Sequence, residues 1–386
     1  MKNYLFWTFK RKLPLFVIVA VIFFILAIVS ATEIDFLQEI YDGERHFYRN
    51  SDSGTLPLII AFFTTMFFLP FFSMSYRYSL TKSDTFRQVA FKDKRLRYGE
   101  HLVTLIPVLA AFIVSFIFLT VVMMARNYNT VVPQPSYRGE YLITYELIKF
   151  NYVYFIPLFF ATLGLGIGQY FISYLFISRS NNFLNSLILL GLSQGLLVCI
   201  VIVPTSFVLG YPISSIYAGA TVAHPIIYLY NQFNYLIIEG TENISDIFNP
   251  YVSSNYSTIQ MVSFILSIII YFGLIATGIS AFLLEKDPSS EYANKPQTDK
   301  PYQEIIFHLA VGAIATNIFI TVFGNSPLTY VMFYVLFIAS YYTLYGLMNR
   351  NFKLNKKQII TLVAVILAVT ILGLTQFIIE TTILNK

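Results

Sequence analysis

Nine apolar runs alternate with short polar segments along the chain, at about 14–31, 55–75, 102–124, 151–176, 184–209, 259–284, 304–324, 327–347 and 358–379. A bilayer core takes about 20 apolar residues per helix, so each run predicts a membrane-spanning helix. Pro57, Pro70, Pro107, Pro157 and Pro204 fall within or near the ends of these runs. Neighbouring helices can satisfy the carbonyls that such prolines free. Ahead of the first run, residues 1–12 set Leu5, Phe6 and Phe9 against Lys2, Lys10 and Arg11. That pattern predicts a helix lying on the membrane surface. A basic start before an apolar run is also the layout of a signal peptide. Here the run is long and "IVSATE" is a poor cleavage site, so the expectation is a retained span.

Composition agrees. Hydrophobic residues make up 56% of the 386 and charged residues 12%, against about 25% charged in soluble domains. One water-exposed fold could not bury this much apolar surface, so lipid must be the solvent for most of the chain. Cys199 is the only cysteine; it permits no disulfide within the chain and no CxxC motif. The basic residues are split into short blocks between apolar runs, which argues against nucleic acid as a partner. With the N-terminus in the cytoplasm, 19 of the 25 basic residues fall on the inner side and six on the outer. The positive-inside rule therefore predicts a multi-pass protein with a cytoplasmic N-terminus. Ile, Asn and Lys usage suggests a low-GC Gram-positive-like cell, so the expected membrane is a bacterial plasma membrane.

All charged residues fall in loops or at the ends of runs. Ion-coupled carriers need titratable groups within the membrane. His308 is the single candidate, and its simplest reading is an interfacial histidine bonded to a backbone carbonyl. If the protein moves a solute, its energy source is expected on another chain.

The segment Ser79–Glu100, "SLTKSDTFRQVAFKDKRLRYGE", lies between the second and third runs. Seven basic residues stand between Arg77 and Arg97. Thr81 and Asp84 have capping-box spacing, with Asp in place of Glu. A short helix is predicted over 82–92, with Phe86, Val89 and Ala90 on one face. Phe91 follows, and Arg87, Lys92 and Lys94 lie around the patch. A small apolar knob ringed by cations suits a groove on a cytoplasmic partner; the plain alternative is a basic loop resting on headgroups. Between the fifth and sixth runs, residues 210–258 contain no Lys or Arg and are rich in Tyr, Ile and Asn. Their apolarity predicts short helices dipping back into the outer leaflet.

This layout resembles the ABC-2 type permease subunit of Gram-positive ATP-binding cassette transporters. It shares a surface helix at the start, a short cytoplasmic helix between spans two and three, and re-entrant outer helices between spans five and six. "YRYSLTKSDTFRQVAFKDKRLRYGEHLVTLIP" resembles the segment in which a coupling helix of those permeases leads into the third span. "LLEKDPSSEYANKPQTDKPYQEIIFH" resembles their "R-x-SE-x-AG-x" stretch: Ser290, Glu291 and Ala293 match, Asn294 stands where Gly is frequent, and Lys286 replaces the basic residue approximately. The layout covers residues 1–284 and the local motif reaches about 308. The resemblance implies an all-α polytopic fold with a six-helix core at 13–284, a cytoplasmic loop at 285–303 and about three extra helices within 304–386. It also implies ABC ATPase subunits as partners, contacted through Phe86, Arg87, Val89, Ala90, Phe91 and Lys92, and a second permease subunit. ATP and Mg would be bound by the partner ATPase, with no cofactor or metal on this chain. The substrate class it implies is peptide antibiotics or other amphipathic, lipid-like molecules, most often exported.

Motifs for chemistry within the chain are weak. No P-loop sequence is present. "GLGIGQ" lies inside an apolar run, where Gly164 and Gly168 have the GxxxG spacing of helix packing. "GLSQG" matches the hydrolase pattern GxSxG around Ser193, but it too is mid-run, and Gly191 and Gly195 again predict packing. The first outer segment holds Glu33, Asp35, Glu39, Asp42, Glu44 and His46. A solvated acidic helix is the expectation there, the alternative being the catalytic acid of a membrane glycosyltransferase at Glu33 or Asp35. Tyr330, Tyr334, Phe337, Tyr341 and Tyr345 form one stripe at helical spacing. Packing between helices explains it most simply; the functional alternative is an aromatic surface facing an amphipathic substrate. An ATPase-independent carrier or flippase is the runner-up to the permease.

Overall fold

The computed structural model describes residues 2–32, 36–41, 44–49, 56–74, 94–125, 129–134, 144–149, 155–178, 183–209, 254–284, 301–322, 327–349 and 351–384. Among them are nine helices: α1 (Lys2–Thr32), α2 (Leu56–Ser73), α3 (Lys94–Ala125), α4 (Phe155–Ile177), α5 (Phe183–Leu209), α6 (Ser254–Leu284), α7 (Pro301–Val322), α8 (Pro327–Asn349) and α9 (Lys356–Leu384). Each coincides with one apolar run. Five contain stretches long and apolar enough to cross a membrane: Leu5–Ala31, Tyr98–Val122, Phe155–Ile177, Leu328–Asn349 and Lys356–Thr375. The described parts of α2, α5, α6 and α7 carry shorter apolar stretches. This is a multi-pass helical membrane protein.

Large apolar side chains stand exposed on the helices, among them Val114, Phe160, Ile269 and Ile371. Water would penalise that exposure; hydrocarbon does not. Threonines inside the helices bond their own backbone, as Thr120 Oγ1 does to the Phe116 carbonyl at 2.9 Å and Thr162 Oγ1 to the Leu158 carbonyl at 2.7 Å. Such bonds hide a hydroxyl from lipid.

Two features differ from the sequence-based expectations. Residues 1–12 and the first span are not separate elements: α1 is one helix of 31 residues with Pro14 inside it. At 1.5 Å per residue it is about 46 Å long, longer than the hydrocarbon core. The acidic segment after α1 forms not a helix but an antiparallel hairpin, β1 (Phe36–Tyr41) with β2 (Glu44–Arg49). Tyr41 pairs with Glu44, so Asp42 and Gly43 are the two residues between the strands. Asp-Gly is a strong two-residue hairpin signal, and it outweighs the acidic composition. A second hairpin, β3 (Asn129–Gln134) with β4 (Thr144–Lys149), follows α3.

The chain forms two compact units. The first comprises α1, α2, α3, both hairpins and α4 as far as Tyr170; the second takes α4 from Phe171 and α5 to α9. Phenylalanines fill the core of the first. Phe62 of α2 stacks on Phe112 of α3 with centroids 3.9 Å apart, and Phe23 of α1 meets both edge-on. Phe155 and Phe159 of α4 close on Phe116. Gly166 gives Phe62 its room, since a Cβ there would collide with the ring. Of the expected Gly164 and Gly168 pair, a Cβ on Gly164 would meet nothing within 4 Å; the close approach to Phe62 is made by Gly166.

In the second unit α7 is central, packed against α5, α8 and α9. Its Phe307, Val311, Ala315 and Phe319 join Phe333, Phe337, Tyr341 and Tyr345 of α8 in one buried cluster with Leu362 and Val369 of α9. Gly195 of α5 lies where a Cβ would stand 2.6 Å from Ile314 Cδ1, whereas Gly191 has open space. Asn355 and Gln358 cap α9 reciprocally: Gln358 N donates to Asn355 Oδ1 at 3.0 Å and Asn355 N to Gln358 Oε1 at 2.8 Å.

Candidate functional site

The buried polar chemistry of the first unit gathers where α3 begins. Helical spacing puts Thr8 and Lys12 on one face of α1, and Glu100 and Thr104 on one face of α3. Gly99, just before Glu100, lets the helices approach: a Cβ there would lie 2.7 Å from Leu5 Cδ2. Lys12 Nζ donates to Glu100 Oε2 at 2.9 Å and to Thr104 Oγ1 at 3.0 Å. Thr8 Oγ1 donates to Glu100 Oε1 at 3.2 Å, and Thr104 Oγ1 to the Glu100 carbonyl at 2.8 Å. Thr8, Glu100 and Thr104 are all buried. Both carboxylate oxygens are therefore paired, as burial of a charge demands.

The next residue on α3 makes a second junction. His101 Nδ1 shares a hydrogen bond with Tyr170 Oη of α4. Tyr170 Oη in turn lies 3.2 Å from Ser73 Oγ of α2, and Ser73 Oγ donates to the Pro70 carbonyl at 3.0 Å. The His101 and Tyr170 rings meet edge to face at 6.1 Å. His101, Tyr170 and Ser73 are buried. Glu100 and His101 are consecutive and turn about 100° apart on the helix. Glu100 grips α1; His101 grips Tyr170 of α4, which in turn meets Ser73 at the end of α2. The entry of α3 is thus a polar clamp on three other helices, immediately after the basic segment.

The charge pattern places Lys12 and Glu100 in loops or at span ends; the structure adds that the two are paired there and that Glu100 is buried. The signal was in the sequence as Thr8 with Lys12 and Glu100 with Thr104, each pair four residues apart beside an apolar run. What it lacked was any mark that the two pairs face each other.

The residues expected to contact a partner ATPase, Phe86, Arg87, Val89, Ala90, Phe91 and Lys92, lie outside the described residues, as do Glu33, Asp35 and most of 210–258. Ser193 Oγ donates to the Leu190 carbonyl at 2.7 Å within α5 and is buried. The aromatic stripe of α8 lies within the second unit. Phe337, Tyr341 and Tyr345 are buried, and Tyr330 and Tyr334 pack at the edge of the same cluster. Tyr334 Oη meets Thr370 Oγ1 of α9 at 2.7 Å.

His308 also differs from expectation. Its Nδ1 pairs with Tyr341 Oη at 3.1 Å rather than with a backbone carbonyl, and its ring stacks on Tyr341 and Tyr345. Tyr345 Oη donates to Glu304 Oε1 at 3.3 Å and accepts from Gln358 Nε2 at 2.9 Å. A carboxylate, a histidine and two phenols thus form two hydrogen-bonded pairs, Glu304 with Tyr345 and His308 with Tyr341, set side by side by ring stacking between α7, α8 and the start of α9.

Among the described residues no group of three or more His, Cys, Asp or Glu side chains is placed to hold a metal ion. Comparison with protein-family models, curated proteins and solved structures finds no match to this chain.

Proposed function

We propose that the chain is the membrane-embedded permease subunit of an ABC transporter, driven by a separate ATPase and exporting peptide or amphipathic, lipid-like substrates. The clamp at Glu100 and His101 carries this reading. A segment that receives force from a partner must pass it to the helices, and the helix leaving the basic segment is bonded to α1 and α4 in its first turns, and through Tyr170 of α4 to α2. A push on residues 79–93 would move three other helices with α3 rather than bend a loop. In this reading the N-terminus is cytoplasmic, nine helices span the bilayer, a second permease subunit completes the pathway, and ATP and Mg bind the partner. The resemblance of the basic segment and of "SSEYA" to ABC-2 permeases supports the same assignment.

Tagged full-length protein, purified in mild detergent from its own host, tests the proposal. An ATPase with Walker motifs should co-purify in stoichiometric amount, and ATP should drive substrate out of cells or into inverted vesicles. Transport that continues without any such subunit would overturn it.

A second reading has one observation in its favour. The Glu304–Tyr345 and His308–Tyr341 pairs supply titratable groups among apolar helices, as a proton-coupled carrier requires. Transport that collapses with the proton gradient while ATP is present would select the carrier.

A further inference from the structure

Helix α8 (Pro327–Asn349) contains no charged residue, and α9 contains none between Lys357 and Glu380. The residues between these two charge-free stretches therefore stand at a membrane surface. Lys353, Lys356 and Lys357 lie there, and all three are exposed. None of them forms an ion pair among the described residues. Glu304, linked through Tyr345 to Gln358, is on the inward side. Lys356, two residues before Gln358, is turned about 200° away from it.

Local bonds hold this basic segment in place. Asn351 N donates to the Gly346 carbonyl at 3.1 Å and Lys353 N to Asn351 Oδ1 at 2.9 Å. Phe352 folds back along α8: Tyr342 Oη donates to its carbonyl, the two rings lie 5.8 Å apart, and the Phe352 ring fills the space that a Cβ on Gly346 would need. Tyr342 is about 10 Å along α8 from Asn349, so the Phe352 ring reaches back toward the hydrocarbon. Both rings remain exposed. On α9, Lys356 heads a bare apolar stripe: Ile360, Val363 and Leu367 follow it at i+4, i+7 and i+11 and are exposed.

We propose that Lys353, Lys356 and Lys357 bind the headgroup of an anionic phospholipid, with one acyl chain along Ile360, Val363 and Leu367 and with Phe352 and Tyr342 holding the segment at headgroup depth. Cations that continue directly into exposed apolar residues match an amphiphile. A soluble acidic protein would cover the lysines and leave Ile360 bare, and a zwitterionic lipid would bring its own cation to the lysines. The proposal is independent of the ATPase, so its outcome leaves the permease reading to its own test.

Trp7 is the only tryptophan, so Trp7→Phe clears the background for a fluorescent reporter. Ile360→Trp, one turn after Lys356 at a position 60% exposed, reports on the site. Ile371→Trp, on the same exposed face but deeper in the bilayer, reports on surrounding lipid. Each full-length variant is reconstituted in phosphatidylcholine nanodiscs with rising amounts of phosphatidylglycerol or phosphatidylcholine, brominated on the same acyl chain. The reporter at 360 should be half-quenched at an about fivefold lower mole fraction of the anionic lipid, the gain from one lysine near a negative headgroup. The reporter at 371 should not distinguish the two lipids. Adding Lys353→Gln, Lys356→Gln and Lys357→Gln should abolish the preference at 360. Equal quenching by both lipids at 360 would overturn the proposal. So would the same preference at 371, a preference that survives loss of the three lysines, or no quenching at 360 by either lipid, which would mean that protein covers this face of α9.

Discussion

Lys12 Nζ lies 2.9 Å from Glu100 Oε2, and the two residues are 88 positions apart in the chain. The bond ties the N-terminal part of α1 to the helix that emerges from the most basic segment of the protein. Removing one member of a buried ion pair strands the other charge and costs about 3–5 kcal/mol, whereas replacing both with apolar residues is often neutral. Lys12→Met and Glu100→Leu should therefore each lower the unfolding midpoint in detergent, and the double variant should recover most of the loss. A loss in the double variant equal to the sum of the two single losses would show that the pair is not coupled. In reconstituted vesicles the double variant should be folded yet transport poorly, because α3 would no longer draw α1 with it.

Two pairs of glycines separate close packing from mere sequence pattern. Gly166 and Gly195 have a Phe62 ring and Ile314 Cδ1 where a side chain would go; Gly164 and Gly191 have open space. Gly166→Leu and Gly195→Leu should destabilise by about 1–3 kcal/mol through overpacking. Gly164→Ala and Gly191→Ala should be neutral or stabilising by up to about 1 kcal/mol, since alanine favours a helix over glycine. Thermal unfolding of the four variants in one detergent gives the ranking.

Phe86→Asp tests the apolar knob of the basic segment. The variant should reach the membrane at normal level but lose co-purification of the ATPase or uncouple its ATP turnover from transport. Normal assembly together with normal coupling would remove the knob from the mechanism.

Orientation can be read with one cysteine at a time in a Cys199→Ser background. A cysteine at Asn243 should react with membrane-impermeant maleimide in intact cells, and one at Ser83 only after permeabilisation. The reverse pattern would invert the topology, and with it the side on which an ATPase could dock.

Tyr341 separates packing from hydrogen bonding in the second unit. Its ring is buried against Phe307 and stacks with His308 and Tyr345. Tyr341→Ala should cost about 3–5 kcal/mol, as deletion of a buried aromatic does, while Tyr341→Phe should cost about 1 kcal/mol for the lost bond to His308. If Tyr341→Phe instead leaves stability intact but abolishes transport, the pair has a part in transport beyond holding α7 to α8.

Much of the fold was legible along the chain. Lipid offers no partner to a bare amide or carbonyl, so a run of about 20 apolar residues has little choice but to be a helix. Length and apolarity alone placed all nine helices. The first hairpin was also written in the chain, at Asp42–Gly43, but the acidic composition around it pointed the other way. Asn355 and Gln358 spelled out the start of α9 in the same local fashion.

What the sequence alone determined was where each helix runs; which of its faces turns inward was decided only by the tertiary structure. In water, polarity marks the outer face of a helix. Here Phe112 is buried and Val114, two residues later, is 62% exposed, yet both are apolar. With hydrocarbon on the outside and phenylalanine on the inside, hydropathy no longer distinguishes the two directions. The pairing of Lys12 with Glu100, the junction of His101 with Tyr170 and Ser73, and the partner of His308 therefore all waited on the packing of helices distant in sequence.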